Sequence, residues 1–107
     1  MRKVNKIVIH CTATKEGNNV SPATIKRWHL NRGFSDIGYH YVISIDGKIN
    51  AGRAVSRAGA HVKNGNSDSI GISYVGGLDS NGKAKDTRTD AQKASLIKIL
   101  KVLKNIY

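Results

Sequence analysis

The four imidazoles are the side chains of this 107-residue sequence whose chemistry best suits a functional site. They are His10, His29, His40 and His61. No pair of them has the i, i+4 spacing of a helical zinc motif. His10 differs from the others in position, because it follows the β-branched run Ile7-Val8-Ile9 and precedes a polar loop. Open sheets place their binding sites where strands end in this way, so His10 is the first candidate site residue.

Three other candidates are weighed against simpler structural roles. His61 lies in a loop of small residues, Ala58-Gly59-Ala60, where a ligand contact and an ordinary surface position are about equally favoured. His29 lies in a predicted helix and is interpreted as a packing or surface residue. Cys11 follows His10, and neighbouring strand residues point to opposite faces. Cys11 is therefore interpreted as a small buried side chain that cannot share a metal ion with His10.

Three stretches predict the β-strands that must position these residues. Residues 6–10 contain a continuous apolar run, which is typical of a strand buried on both faces. Residues 38–45, the turn Asp46-Gly47 and residues 48–50 are typical of a β-hairpin. Residues 69–75 predict a further strand. We expect strand 6–10 to be central and the hairpin to pair within the same sheet.

Two helices are predicted on either side of these strands. Ser21 can cap the first helix and Pro22 suits its first position, and the helix should end near Gly33. Thr89 and Gln92 match a capping box at the start of the last helix. That helix carries one apolar stripe, formed by Leu96, Leu100, Leu103 and Tyr107. The fold class is therefore α/β, with a single mixed central sheet flanked by helices and a long loop over 51–68.

Composition narrows the class of protein and partner. The chain has 18 basic and 7 acidic residues, a net charge of +11, which favours a polyanion such as a wall polymer, nucleic acid or an anionic membrane face. Simple solubility is the alternative explanation. The size and an apolar content of 39% fit one globular domain over 1–107. No apolar run reaches the ~20 residues that span a membrane, and no secretory signal is recognised, so synthesis in the cytoplasm is expected.

Six motifs follow one another along nearly the whole sequence. They are Ile7-Val8-Ile9-His10-Cys11-Thr12-Ala13-Thr14, Ile25-Lys26-Arg27-Trp28-His29, Asp36-Ile37-Gly38-Tyr39-His40-Tyr41-Val42-Ile43, Ala51-Gly52-Arg53, Gly59-Ala60-His61, and Ser69-Ile70-Gly71-Ile72 with Gly76-Gly77. In this order the motifs resemble those of the zinc-dependent N-acetylmuramoyl-L-alanine amidases. This family includes the small phage amidase lysozymes and the peptidoglycan recognition proteins.

The resemblance implies a reaction and a role for individual residues. The reaction is hydrolysis of the amide between N-acetylmuramic acid and L-alanine in peptidoglycan, by a water that zinc activates. His10 matches the first zinc histidine of the family. Tyr39 matches the catalytic tyrosine at the reacting centre, and His61 matches a histidine of the substrate-binding cleft wall. His40 corresponds to a position held by histidine or asparagine, so no ligand role is assigned to it.

The sequence departs from the family pattern after the last helix. The family's second zinc histidine, its third ligand (cysteine or aspartate) and an assisting lysine follow that helix, and no residue here matches them. We therefore expect a domain that lacks the family's C-terminal segment and binds zinc weakly or not at all. The alternative function is a non-catalytic peptidoglycan-binding or regulatory protein-binding module on the same fold.

The resemblance also suggests partners and a place of action. Peptidoglycan or a muropeptide is the expected ligand, met at the cell wall after release from the cell. A protein partner such as the RNA polymerase that phage relatives bind is left open, as is a homodimer. Nucleic acid is not favoured, because one Trp and one Phe provide no platform for stacking bases.

Overall fold

The computed structural model describes residues 2–107 and contains a mixed four-stranded sheet flanked by two helices. The order of strands in this sheet is β1-β5-β3-β4, and β2 and β6 form a separate two-stranded sheet. The elements are β1 (Lys6–Cys11), β2 (Thr14–Lys15), α1 (Pro22–Asn31), β3 (Tyr41–Ile43), β4 (Ile49–Ala51), β5 (Ser69–Tyr74), β6 (Gly77–Leu78) and α2 (Asp90–Ile106). The predicted α/β class, with a mixed sheet and helices, is confirmed.

The sheet is built around β5, which pairs in parallel with both β1 and β3. β3 and β4 form the predicted antiparallel hairpin, with Gly47 at φ +88° in the turn. The prediction that the first strand is central was wrong, because β1 lies at the edge of the sheet and Ile9 is 45% exposed. A run of β-branched residues indicates that a strand is buried. It does not show whether that strand pairs on one side or on both. The central strand is instead β5, whose small side chains give a weaker sequence signal.

Both helices begin where the sequence predicts. Ser21 Oγ accepts a hydrogen bond from the Thr24 N–H at 3.1 Å, and Pro22 occupies the first turn of α1. The capping box of α2 is complete, because the Thr89 hydroxyl accepts from the Gln92 N–H and the Gln92 amide oxygen accepts from the Thr89 N–H. Each cap satisfies backbone donors that a helix start would otherwise leave unpaired. The first helix ends at Asn31, close to the predicted stop.

Two apolar clusters lie on opposite faces of the sheet. One joins Ile43, Ile70 and Ile72 of the strands to Leu96, Ile99 and Leu103 of α2. The other joins Ile25 of α1 to Val42 and to Val20, Ile37 and Val75. The predicted stripe of α2 is only partly right, because Ile99 is buried while Tyr107 is 48% exposed. Among residues 2–107, no helix is long and apolar enough to cross a membrane.

Two connecting segments position the site. The polar segment after β1 was predicted as loop, but its residues Thr14 and Lys15 pair with Gly77 and Leu78 as β2 and β6. Two-residue strands are too short to produce an alternating pattern in a sequence. The loop predicted over 51–68 begins one residue later, because Ala51 belongs to β4, and residues 52–68 contain no helix or strand. This segment crosses the α1 side of the sheet.

Candidate functional site

Three residues predicted from the sequence meet at one place, although they come from three separate elements. His10 lies near the end of β1, Tyr39 precedes β3, and His61 lies in the loop 52–68. His10 Nε2 lies 2.8 Å from His61 Nδ1, which is a hydrogen-bond distance. The His10 and Tyr39 rings have centroids 5.5 Å apart. The fold therefore brings together the residues expected to bind metal, to act in catalysis and to contact substrate.

Glycines make room for the His61 ring on the surface of the sheet. A Cβ atom at Gly71 of β5 would lie 2.6 Å from ring atoms of His61, closer than any real contact. A Cβ at Gly59 would lie 2.7 Å from the same ring. The backbone of His61 is also fixed, because Asn66 Oδ1 accepts from the N–H groups of His61 and Val62 at 3.0 Å. The position of the His61 ring is therefore fixed by the space above Gly71, by the space beside Gly59, and by the two hydrogen bonds that Asn66 accepts from the backbone.

His40 is buried beneath this group and both of its ring nitrogens are engaged. Its Nδ1 accepts from the Gly71 N–H at 3.0 Å, and its Nε2 lies 2.8 Å from the Arg57 carbonyl. Arg2 donates to the carbonyls of Val55 and Ser69 at 2.9 Å, and its Nη2 lies 3.1 Å from His40 Nε2. Arg2 thus ties the loop that carries His61 to the first residue of β5.

His29 belongs to the site, although the sequence interpretation gave it only a packing or surface role. It is 7% exposed, and its Nδ1 accepts from the Gly38 N–H at 2.8 Å. Its ring lies 5.3 Å from that of Tyr39 and 5.2 Å from that of Phe34. The available signal was its spacing of four from Ile25, since both residues lie on the buried face of α1.

A polar cleft of about 370 Å³ opens beside these rings. Its lining combines imidazoles, a phenol and an amide with two cationic side chains and no carboxylate. The lining residues are His29, Arg32, Phe34, Tyr39, Ala60, His61, Val62, Lys63 and Asn66. Such a cleft can form hydrogen bonds with amide groups and attract carboxylates. A peptide with acidic groups offers both.

Burial keeps the imidazoles of the site uncharged near neutral pH. It lowers the pKa of His10, and burial together with the neighbouring His10 lowers the pKa of His61 to about 4. Burial also raises the pKa of Tyr39, and the nearby Ser73 hydroxyl offsets part of this rise. Ser73 Oγ makes no hydrogen bond of ordinary geometry among residues 2–107. The site therefore presents neutral donors and acceptors, with a protonated phenol.

The described residues do not by themselves form a zinc centre. A catalytic zinc takes three protein ligands and leaves one position open. No group of three or more His, Cys, Asp and Glu side chains within residues 2–107 could hold a metal ion. Cys11 lies against Gly77, and it is half-buried rather than buried as predicted. His10 is thus the single proposed ligand among these residues.

Comparison with known proteins identifies the family. A model described as Amidase_2, N-acetylmuramoyl-L-alanine amidase, matches residues 1–107. The chain belongs to the N-acetylmuramoyl-L-alanine amidase family. This amidase-family chain is 40% identical over 106 residues to the endolysin of Klebsiella phage KP32, covering 99% of this chain and 70% of that protein. It is 43% identical over 97 residues to the endolysin of Escherichia phage T7, covering 91% of this chain and 64% of that protein.

A solved structure shows the same fold. The N-acetylmuramoyl-L-alanine amidase LysC from Clostridium intestinale URNW superimposes on the amidase-family chain with a TM-score of 0.85 and 35% identity. The match covers 99% of this chain and 66% of LysC. The chain thus spans about two thirds of the length of these three relatives. The family predicted from the six motifs is confirmed.

Proposed function

We propose that this chain acts on peptidoglycan as a hydrolase of the N-acetylmuramoyl-L-alanine amidase type, which cleaves the amide between N-acetylmuramic acid and L-alanine. The observation that carries the proposal is the convergence of His10, Tyr39 and His61, from three separate elements, beside one polar cleft. The family match and the endolysin relatives support the same substrate class. Its place of action is then the cell wall.

Individual residues take different parts in this proposal. His10 is the metal-binding histidine, His61 lies in the cleft wall, and Tyr39 is the catalytic residue. The Tyr39 phenol is protonated near neutral pH, burial raises its pKa further, and it can donate a hydrogen bond to the carbonyl of the scissile amide. The cations of Arg32 and Lys63 in the cleft lining attract carboxylates of the peptide. Zinc is the metal the family implies, and we propose that residues 2–107 bind it weakly, since they offer only one ligand.

A cleavage assay on a defined muropeptide tests the reaction type. The protein is incubated with N-acetylmuramyl tripeptide, with and without added zinc, and the products are identified by mass spectrometry. Amidase chemistry predicts free N-acetylmuramic acid and a peptide with a new L-alanine amino terminus. Cleavage within the peptide would contradict it. Tyr39→Phe is the matched variant, and it should slow any cleavage while leaving the fold intact.

The second candidate is a module that binds peptidoglycan without cutting it. The observation that favours it is that no three potential metal ligands lie together among residues 2–107. This candidate predicts saturable binding of the muropeptide with no product in the cleavage assay, whether or not zinc is present. The cleft would then serve recognition alone, or would regulate a protein partner.

A further inference from the structure

Ser69 begins a series of hydrogen bonds in which donors and acceptors have a single consistent assignment. The Gly65 carbonyl can only accept, so the Ser69 hydroxyl, 2.6 Å away, donates its one proton to it. Ser69 Oγ can then only accept from His61 Nε2, which lies 3.2 Å away. A neutral His61 therefore carries its proton on Nε2 and presents Nδ1 as an acceptor.

The acceptor of His61 faces His10. His10 Nε2 lies 2.8 Å from His61 Nδ1, and a hydrogen bond at this distance needs one proton between the two nitrogens. Since His61 Nδ1 carries none, the proton belongs to His10 Nε2. The neutral His10 then has its lone pair on Nδ1, and no side chain or backbone group among residues 2–107 makes a hydrogen bond to that atom.

We propose that His61 is a positioning residue which, held by Ser69, fixes the tautomer of His10 and leaves the lone pair of His10 Nδ1 free. This deepens the proposed function and rests on it, since it gives His61 an action on the metal-binding histidine beyond lining the cleft. A histidine ligand bound through one nitrogen commonly donates its other N–H to a neighbouring group, which fixes the ring and its tautomer.

The packing around the His61 ring and the hydrogen bonds to its backbone support this role as well. Its ring lies over Gly71, where any side chain would collide with it, and Asn66 holds its backbone. The ring is therefore confined to a position in which Nε2 faces Ser69 and Nδ1 faces His10. A residue that only contacted substrate would not need both of its ring nitrogens directed at protein atoms.

Nuclear magnetic resonance of the protein without metal or substrate tests the proposal. At about pH 7.5, where neutral imidazole predominates, a correlation through the hydrogen bond should join one proton to two nitrogens. The expected result is a proton covalently bound to His10 Nε2 that also correlates with His61 Nδ1. A proton bound to His61 Nδ1, or no shared proton, would overturn the proposal. Because neither peptidoglycan nor zinc is present, this outcome is independent of the cleavage assay.

Variants of two buried serines separate positioning from simple packing. Ser69→Ala removes the group that fixes His61, so the shared proton should divide between the two rings and its single correlation should be lost. Ser69→Thr keeps a hydroxyl and should restore the signal. Ser44→Ala is the control, because Ser44 is also buried but its hydroxyl accepts from Asn50 Nδ2 at 2.9 Å and has no hydrogen bond with His61. An unchanged spectrum in folded Ser69→Ala would contradict the proposal.

Discussion

The two faces of β5 show how one strand serves both the site and the core. Ser69, Gly71 and Ser73 lie on the face that carries the histidines, and Ile70 and Ile72 lie on the face toward α2. All five residues are buried. The first face is organised by hydrogen bonds and by the space that small side chains leave. The second is organised by apolar contact alone.

This difference predicts opposite responses to substitution. Apolar packing contributes in proportion to buried volume and has little directional preference, so truncation should cost stability and leave the site's geometry unchanged. Hydrogen bonds around imidazoles are directional, so small changes on the site face should alter its chemistry at a lower cost in stability. The predictions below are arranged from the largest expected effect to the smallest.

Truncation on the core face should have the largest effect on stability. Ile72→Ala removes a fully buried side chain that packs with α2, and we expect it to lower the free energy of unfolding by about 2–5 kcal/mol. Urea denaturation measures the change. Ile97→Ala, at a position 56% exposed on the same helix, is the control and should cost no more than about 0.5 kcal/mol. Equal effects of the two variants would contradict the account.

A methyl group on the site face should displace His61. Gly71→Ala places a Cβ within 2.6 Å of that ring, and overpacking of this kind costs about 1–3 kcal/mol. We expect the proton shared by His10 and His61 to disappear from the magnetic resonance spectrum. The control is Gly82→Ala, which strains a residue at φ +82° but meets no atom within 4 Å, so it should lower stability and leave the shared proton unchanged. A folded Gly71→Ala protein that retains the shared proton would show that the ring does not depend on this space.

Loss of the α2 cap should reduce stability without reaching the site. Thr89→Ala removes a hydroxyl that accepts from the Gln92 N–H and donates to the Ile45 carbonyl at 2.7 Å. We expect a cost of about 0.5–2 kcal/mol by thermal or urea denaturation. Thr89→Ser keeps the hydroxyl and should recover most of it. A change in the histidine resonances of Thr89→Ala would show that the two faces are coupled.

The most gradual effect should be a pH dependence that arises from the histidine face. Burial lowers the pKa of His10, His29 and His40 in the folded protein and lowers that of His61 to about 4. Because the unfolded chain binds these protons at higher pH, the stability they contribute is complete above about pH 6.5. It should decline as the pH falls from there toward 4. Urea midpoints measured across this range test the sign, and a rise in stability on acidification would contradict it.

The sequence allowed much of this arrangement to be predicted, for identifiable physical reasons. Helix caps and the Asp46-Gly47 turn are local features, and the structure confirms them. His10, Tyr39 and His61 were selected from their positions and from the family resemblance, and the fold brings them together. Their roles in metal binding, catalysis and substrate binding stay predictions.

Other features could not be predicted from the sequence, because they depend on contacts between distant parts of the chain. The order of strands could not be deduced from β1, since its apolar run does not show that β5 lies between it and β3. The role of Ser69 in holding His61 depends on the loop 52–68, which folds back onto β5 so that His61 reaches a residue eight positions further along the chain. His29 was assigned a packing or surface role, because its contact with Tyr39 exists only once α1 lies against the sheet.

The central claim is that the cleft beside His10, Tyr39 and His61 recognises peptidoglycan. The most direct test is titration of a muramyl peptide into the protein. Calorimetry at about 0.05 M and 0.5 M salt separates the screened attraction of the +11 charge from short-range contacts. The account predicts that binding persists at high salt and that Tyr39→Phe weakens it about fivefold, the loss of one hydrogen bond. Tyr41→Phe, on the face toward α2, should leave the affinity unchanged. Binding that vanishes at high salt, or that Tyr39→Phe does not weaken, would contradict the account.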